Sequence, residues 1–202
     1  MLSFAQRIEL LERDLSVTPP AFSMSVDLPF AIFRYDPLQQ EENEWQVRRE
    51  INHLAIRVTN MTGKLVKVIS LAELYWRAIK QSEGIEALIE LEQQRGFLDA
   101  ETQVSVYLTD PDWCPLTGLL IEEIERQALD SKRNIIFLTR AGVFAPTSYR
   151  ISALLEQLMG RMTVPTVLFY PGTWRESLNF LGLRTKDEPL ASYRVKIYGR
   201  ET

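Results

Sequence analysis

Asn134-Ile135-Ile136-Phe137-Leu138-Thr139-Arg140-Ala141-Gly142, answered further on by Val164-Pro165-Thr166-Val167-Leu168-Phe169-Tyr170-Pro171-Gly172-Thr173, decides the fold of this chain. Each part is a short apolar run broken by Gly or Pro, the pattern of a strand buried on both faces. Between them Ile151, Leu154, Leu155, Leu158 and Met159 recur at helical spacing and lay one apolar stripe along a helix. Strand, helix and strand within about forty residues make a βαβ unit, whose strands lie parallel. The stretch predicts the centre of an α/β domain.

The flanking sequence extends that reading. Leu28 to Tyr35 predicts a strand ending at Asp36-Pro37, and Leu65 to Ile69 a second. Between them Glu41 to Asn60 predicts a helix burying Val47, Ile51, Leu54, Ala55 and Val58, with Gly63 as terminator. Its acidic start and basic end suit the helix dipole. Leu71, Leu74, Tyr75, Ala78 and Ile79 mark another helix; Ile85, Leu88, Ile89 and Glu92 mark a third, stopped by Gly96. Val104, Val106 and Leu108 alternate with Gln103, Ser105 and Tyr107, which predicts an edge strand with one wet face. Pro115 suits the first turn of a helix turning Leu120, Ile121, Ile124 and Ala128 inward. Ser177 to Leu183 predicts a short helix or turn, and Lys186 to Pro189 a polar loop. Tyr193, Val195 and Ile197 predict a terminal strand at the sheet edge, where Arg194 and Lys196 discourage pairing with another chain.

The expected architecture is three-layer α/β: a mostly parallel sheet of five or six strands with helices on both faces, in the manner of a degenerate nucleotide-binding fold. Residues 1–27 read as an N-terminal helical arm and linker, with Phe4, Ile8, Leu11 and Leu15 on one helix face, and residues 28–202 as a single α/β domain. The arm either packs on its own domain or docks a partner.

At 46% hydrophobic and 25% charged, the composition is that of a soluble chain able to bury a core. A formal charge of -4 gives no general attraction to polyanions, so DNA would need a local patch. The single cysteine, Cys114, excludes an internal disulfide framework and a multi-cysteine zinc site. No apolar segment approaches the roughly 20 residues that span a bilayer. Met1 to Glu12 mixes acidic with apolar residues, unlike a signal peptide, so cytoplasmic placement is expected.

The first strand exits into Arg34-Tyr35-Asp36-Pro37-Leu38, without the glycines and lysine of a phosphate-binding loop, and no GxGxxG fingerprint occurs. His53, the only histidine, falls off the apolar stripe of its helix and reads as a solvated surface residue. Cys114 beside Pro115 reads as an inert small side chain rather than a nucleophile. Open α/β sheets gather ligands at the carboxyl ends of their strands, and there the sequence offers Asp36, Asp110, Asp112, Arg140, Gly142 and Gly172. Asp110-Pro111-Asp112 resembles the nucleophile loop of haloacid-dehalogenase-type phosphatases, but Trp113 and Cys114 break the pattern, and turn chemistry is the simpler reading. Arg150 opens the central helix, where a cation opposes the dipole; it has a carboxylate partner, with Asp36 a candidate, or it awaits an anion. Trp113 and Trp174 fall in loops, as core edge or interface anchors.

Pro29-Phe30-Ala31-Ile32-Phe33-Arg34-Tyr35-Asp36-Pro37, Val47-Arg48-Arg49-Glu50-Ile51, Ile136 to Gly142, Arg150 with Leu154-Leu155, and Val167 to Gly172 follow one another in a familiar order. Together they resemble the BrxB family, small accessory proteins of BREX bacteriophage-defence operons. The chain departs from many members at Ser152, where they carry histidine, so proton transfer is not expected at that position. The resemblance implies phage restriction alongside a methyltransferase, a large ATPase and PglZ, an alkaline-phosphatase-like protein. It implies a non-enzymatic adaptor without cofactor or metal, with PglZ the first partner to test and DNA met only through the complex. Asp36, Arg140, Arg150 and Trp174 are the candidate binding residues. The alternatives are a metal-dependent phosphohydrolase using Asp36, Asp110 and Asp112, and a nucleotide- or DNA-sensing module using Arg140 and Arg150.

Overall fold

The computed structural model of the chain describes residues 2–17, 20–21, 29–174, 177–183, 187–188 and 195–199. Its strands are β1 (Phe30–Tyr35), β2 (Leu65–Ser70), β3 (Asn134–Thr139), β4 (Thr166–Trp174), β5 (Leu178–Phe180), β6 (Asp187–Glu188) and β7 (Lys196–Tyr198). Five of them form an all-parallel sheet in the order β2-β3-β4-β1-β7, in keeping with the mostly parallel sheet that the sequence predicts. β1 pairs with β4 along its whole length, from Phe30 opposite Thr166 to Tyr35 opposite Pro171. Every residue of β1 and β3 is buried, the reason both appear as unbroken apolar runs rather than alternating ones. β5 and β6 continue from the far end of β4 as an antiparallel extension.

The helices are α1 (Phe4–Ser16), α2 (Glu44–Thr62), α3 (Leu71–Gln81), α4 (Gly84–Arg95), α5 (Phe97–Thr109), α6 (Leu116–Arg126) and α7 (Ile151–Leu158). α1 and α2 cover one face, packing Ile8, Leu11, Leu15, Val47, Ile51 and Leu54 on Ala31, Phe33, Phe137 and Phe169. α3, α5, α6 and α7 cover the other, packing Leu74, Tyr107, Leu120 and Leu154 on Ile32, Ile136, Leu138 and Leu168. Successive strand residues point to opposite faces, so each central strand feeds both cores. The crossover from β1 to β2 and those from β2 through β3 to β4 run in opposite directions on opposite faces, as right-handed connections require. α4 stands apart: it buries no residue.

Three predicted elements are corrected. The alternating stretch Gln103 to Leu108 is not an edge strand but part of helix α5, which buries Ala100, Val104, Tyr107 and Leu108. Those positions follow i, i+4, i+7, i+8, and six residues of alternation are too short a window to outweigh that longer period. Ser177 to Leu183 holds strand β5 followed by a turn rather than a helix. β5 lies so close to β4 that a Cβ at Gly172 would sit 2.2 Å from the Asn179 carbonyl oxygen. The predicted polar loop Lys186 to Pro189 holds strand β6 at Asp187–Glu188, paired with β5. Most of the predicted linker (residues 18–19 and 22–27), Leu28, Lys186, Pro189, Tyr193 and Arg194 lie outside the described residues. Among the described residues, no helix is long and apolar enough to cross a membrane.

Candidate partner-binding cleft at the strand ends

β1 leads to α2 on one face of the sheet and its neighbour β4 to β5 on the other, so the two strands form the switch point of the sheet. Side-by-side strands whose connections part in this way leave a crevice at their carboxyl ends. A cleft of about 810 Å³ lies there, walled by Arg34 and Asp36 after β1, Thr173 and Trp174 of β4, residues 39–42, and the start of α1 at Leu2, Ser3, Phe4 and Gln6.

The charged groups around this cleft hold the chain itself together. Arg34, buried, donates from Nε to the Gly199 carbonyl at 2.9 Å and from its guanidinium to the Gly172 carbonyl at 3.4 Å. Arg7 of α1, also buried, donates to the Arg34 carbonyl and forms an ion pair with Glu42. Its guanidinium lies 5.4 Å from the Phe33 ring centre, so an aromatic face completes its surroundings. The second Glu42 oxygen accepts the Asp36 N–H at 2.8 Å. Asp36 in turn accepts the Leu38 N–H at 3.1 Å and the Gln39 side-chain amide at 3.4 Å, a side-chain-closed turn. Charges so placed tie α1, β1, β4 and β7 together; breaking one pair would strand the other group in a buried site. Trp174, half-buried on the rim, stands at the point where β4 pairs with β5 opposite Leu178.

Of the four candidate residues, only Asp36 and Trp174 are brought together in this cleft. Arg140 lines a separate crevice of about 190 Å³ with Arg48, Asn52, Ser70 and Glu73. It adopts the left-handed conformation (φ 60°, ψ 35°), uncommon for a side-chain-bearing residue, as the chain leaves β3. Arg150 is exposed and extended, one residue outside α7 rather than in its first turn, which weakens its opposition to the dipole. Asp110 ends a helix, not a strand, and accepts the Asp112 N–H at 2.9 Å, so this loop does turn chemistry away from the strand ends. Among the described residues, no three Asp, Glu, His or Cys side chains are grouped as a metal site. His53 is solvated, 3.9 Å from Glu50, and Cys114 packs partly buried against the larger core. Trp113 is core edge, set edge-on to Tyr107 at 5.1 Å.

Sequence reasoning missed Arg7 and Glu42 as the pair that shapes the cleft. Arg34 carries a legible signal, a lone cation inside an apolar strand, whereas nothing in the spacing of Arg7 distinguishes it from the other charges of its helix. It also passed over the most exposed tryptophans, Trp45 and Trp76.

The fold and the cleft define a class: parallel α/β proteins whose switch-point crevice is framed by mutually paired structural charges. Within it, the family model of BREX protein BrxB matches residues 67–197. BREX protein BrxB of Bacillus cereus (strain H3081.97) is 26% identical over 151 residues, covering 73% of this chain and 72% of that protein. No solved structure matches the chain. This chain belongs to the BrxB family, which gives it a role in BREX phage defence in association with other BREX components.

Proposed function

We propose that the chain is a non-enzymatic adaptor of the BREX phage-defence complex that binds another component, PglZ first among them, in the cytoplasm, with DNA reached only through the complex. The observation that carries this reading is the chain of contacts at the crevice: Arg7 is bound to Glu42 and to the Arg34 carbonyl, Glu42 also accepts the Asp36 N–H, and the Asp36 carboxylate closes its own turn on Leu38 and Gln39. A rim residue such as Trp174 is then what the cleft offers a partner, since a large amphipathic ring anchors interfaces well. Asp36 stands beside it to accept donors of the partner's surface, and Arg140 and Arg150 are separate contacts for an acidic segment.

The test is co-purification of the tagged full chain with each co-encoded BREX protein expressed singly. We expect PglZ to be retained, and Trp174→Ala, which trims the edge of the larger core, to weaken retention at least tenfold while the variant still unfolds cooperatively above the assay temperature. Failure of every BREX component to bind the unaltered chain would sink the adaptor reading.

A further inference from the structure

α4 is an amphipathic helix without a partner for its apolar stripe. Its Ile85 and Ile89 lie one turn apart, and Ile89 is 49% exposed. Across Gly96 the first turn of α5 adds Phe97 at 56% and Leu98 at 72% exposure. This is not loose structure. Gly96, at φ +93°, closes α4 by donating its N–H to Glu92 and opens α5 directly, so the two helices form a tight hairpin. Tyr107 donates to Glu83 at the base, Ser148 donates its N–H to Glu101, and Leu88 packs against the larger core. A fixed element that keeps large apolar side chains in water fits a binding surface better than a structural helix.

Charge selects the occupant. Residues 81–102 hold six carboxylates and one guanidinium, a formal -5, against -4 for the whole chain. Glu86, Glu90, Glu92 and Asp99 form no ion pair among the described residues. Glu86 and Glu90 flank the Ile85–Ile89 stripe along its length. A second copy docked through the same face would set -5 against -5, and nucleic acid or an anionic membrane would be repelled.

We infer that the α4–α5 tip is a docking surface for a partner protein segment whose apolar side chains are flanked by lysines or arginines. The inference rests on the adaptor reading and gives the adaptor a second surface, since the tip shares no residue with the strand-end cleft.

The probes are the co-encoded PglZ protein, methyltransferase and ATPase, each purified and titrated with the full-length chain. The variants are Ile89→Asp, Leu98→Asp and the double reversal Glu86→Lys/Glu90→Lys, with melting temperature confirming the fold. All four positions are exposed, so the variants should melt with the unaltered chain. We expect at least one probe to bind the unaltered chain, to bind either apolar variant and the double reversal at least about tenfold more weakly, and to lose affinity as salt rises. Trp174→Ala measured alongside separates the two surfaces. Binding within about twofold for the folded variants overturns the tip while leaving the adaptor standing. Weakening by the apolar variants but not by the double reversal overturns the basic partner. Loss of a homodimer as the variants' effect, seen by sedimentation, assigns the face to a second copy and overturns the inference. Silence from all three probes toward the unaltered chain removes the adaptor reading and the tip together.

Discussion

Arg34 stands where an apolar strand should have no charge, and its neighbours explain it: two carbonyls accept from its guanidinium, and its own carbonyl accepts from Arg7. Removing Arg7 takes the donor from one Glu42 oxygen and from the Arg34 carbonyl and leaves the Glu42 charge unpaired, with only the Asp36 N–H on its other oxygen. Arg7→Leu should lower stability by about 2–3 kcal/mol, read by urea denaturation, whereas Arg7→Leu with Glu42→Leu should recover part of it because no stranded charge remains. Gly172 is constrained differently. Its backbone needs no unusual angle; the Asn179 carbonyl simply occupies the space a Cβ would take. Gly172→Ala should cost about 1–3 kcal/mol in the same assay as β5 is pushed from β4. At this scale the sequence marks Arg34 as an exception and leaves Arg7 hidden, because a contact between residues 27 positions apart has no local signature.

α1 is held to the sheet by a latch as well as by its apolar stripe. Asp14 pairs with Lys196 of β7 and accepts the Tyr198 hydroxyl at 2.7 Å. Burial alone would raise the Asp14 carboxyl, but those two hydrogen bonds and the lysine charge outweigh it and hold it below the usual range. A carboxyl depressed by folding stabilises fully above its unfolded value, near pH ~4, and loses that contribution as pH falls through the lower folded value. Asp14→Asn should therefore be less stable at pH 7 by about 1–2 kcal/mol, with the gap in melting temperature closing as pH is lowered toward 3. A gap that widens in acid would refute the latch. Elements of this kind were legible where the apolar pattern had length, as in α2 or β3. α5 was misread because Val104, Val106 and Leu108 satisfy a two-residue period locally, and only Ala100 and Tyr107 restore the helical one.

The whole molecule joins a dense sheet and its two cores to an outlying hairpin. Amide exchange should follow that division: β3 and β4 slowest, and α4, anchored at its ends and by the half-buried Leu88 rather than by fully buried side chains, fastest among the helices α2 to α6. A bound partner at the tip should slow α4 selectively; unchanged α4 exchange in the complex would place that partner elsewhere. The parallel sheet was legible because doubly buried strands must be apolar throughout. Docking surfaces were not, because Ile85 and Ile89 have the same spacing whether another helix covers them or water does.

β4 runs for nine residues, pairing with β1 and β3 at its start and with β5 at its end. One uninterrupted backbone thus joins Val167 in the middle of the molecule to Trp174 at its rim. Anything that pulls on that tryptophan pulls, through covalent bonds, on the middle strand of the parallel sheet. The rim can carry mechanical load into the body without the hinge or slack that a flexible loop would introduce.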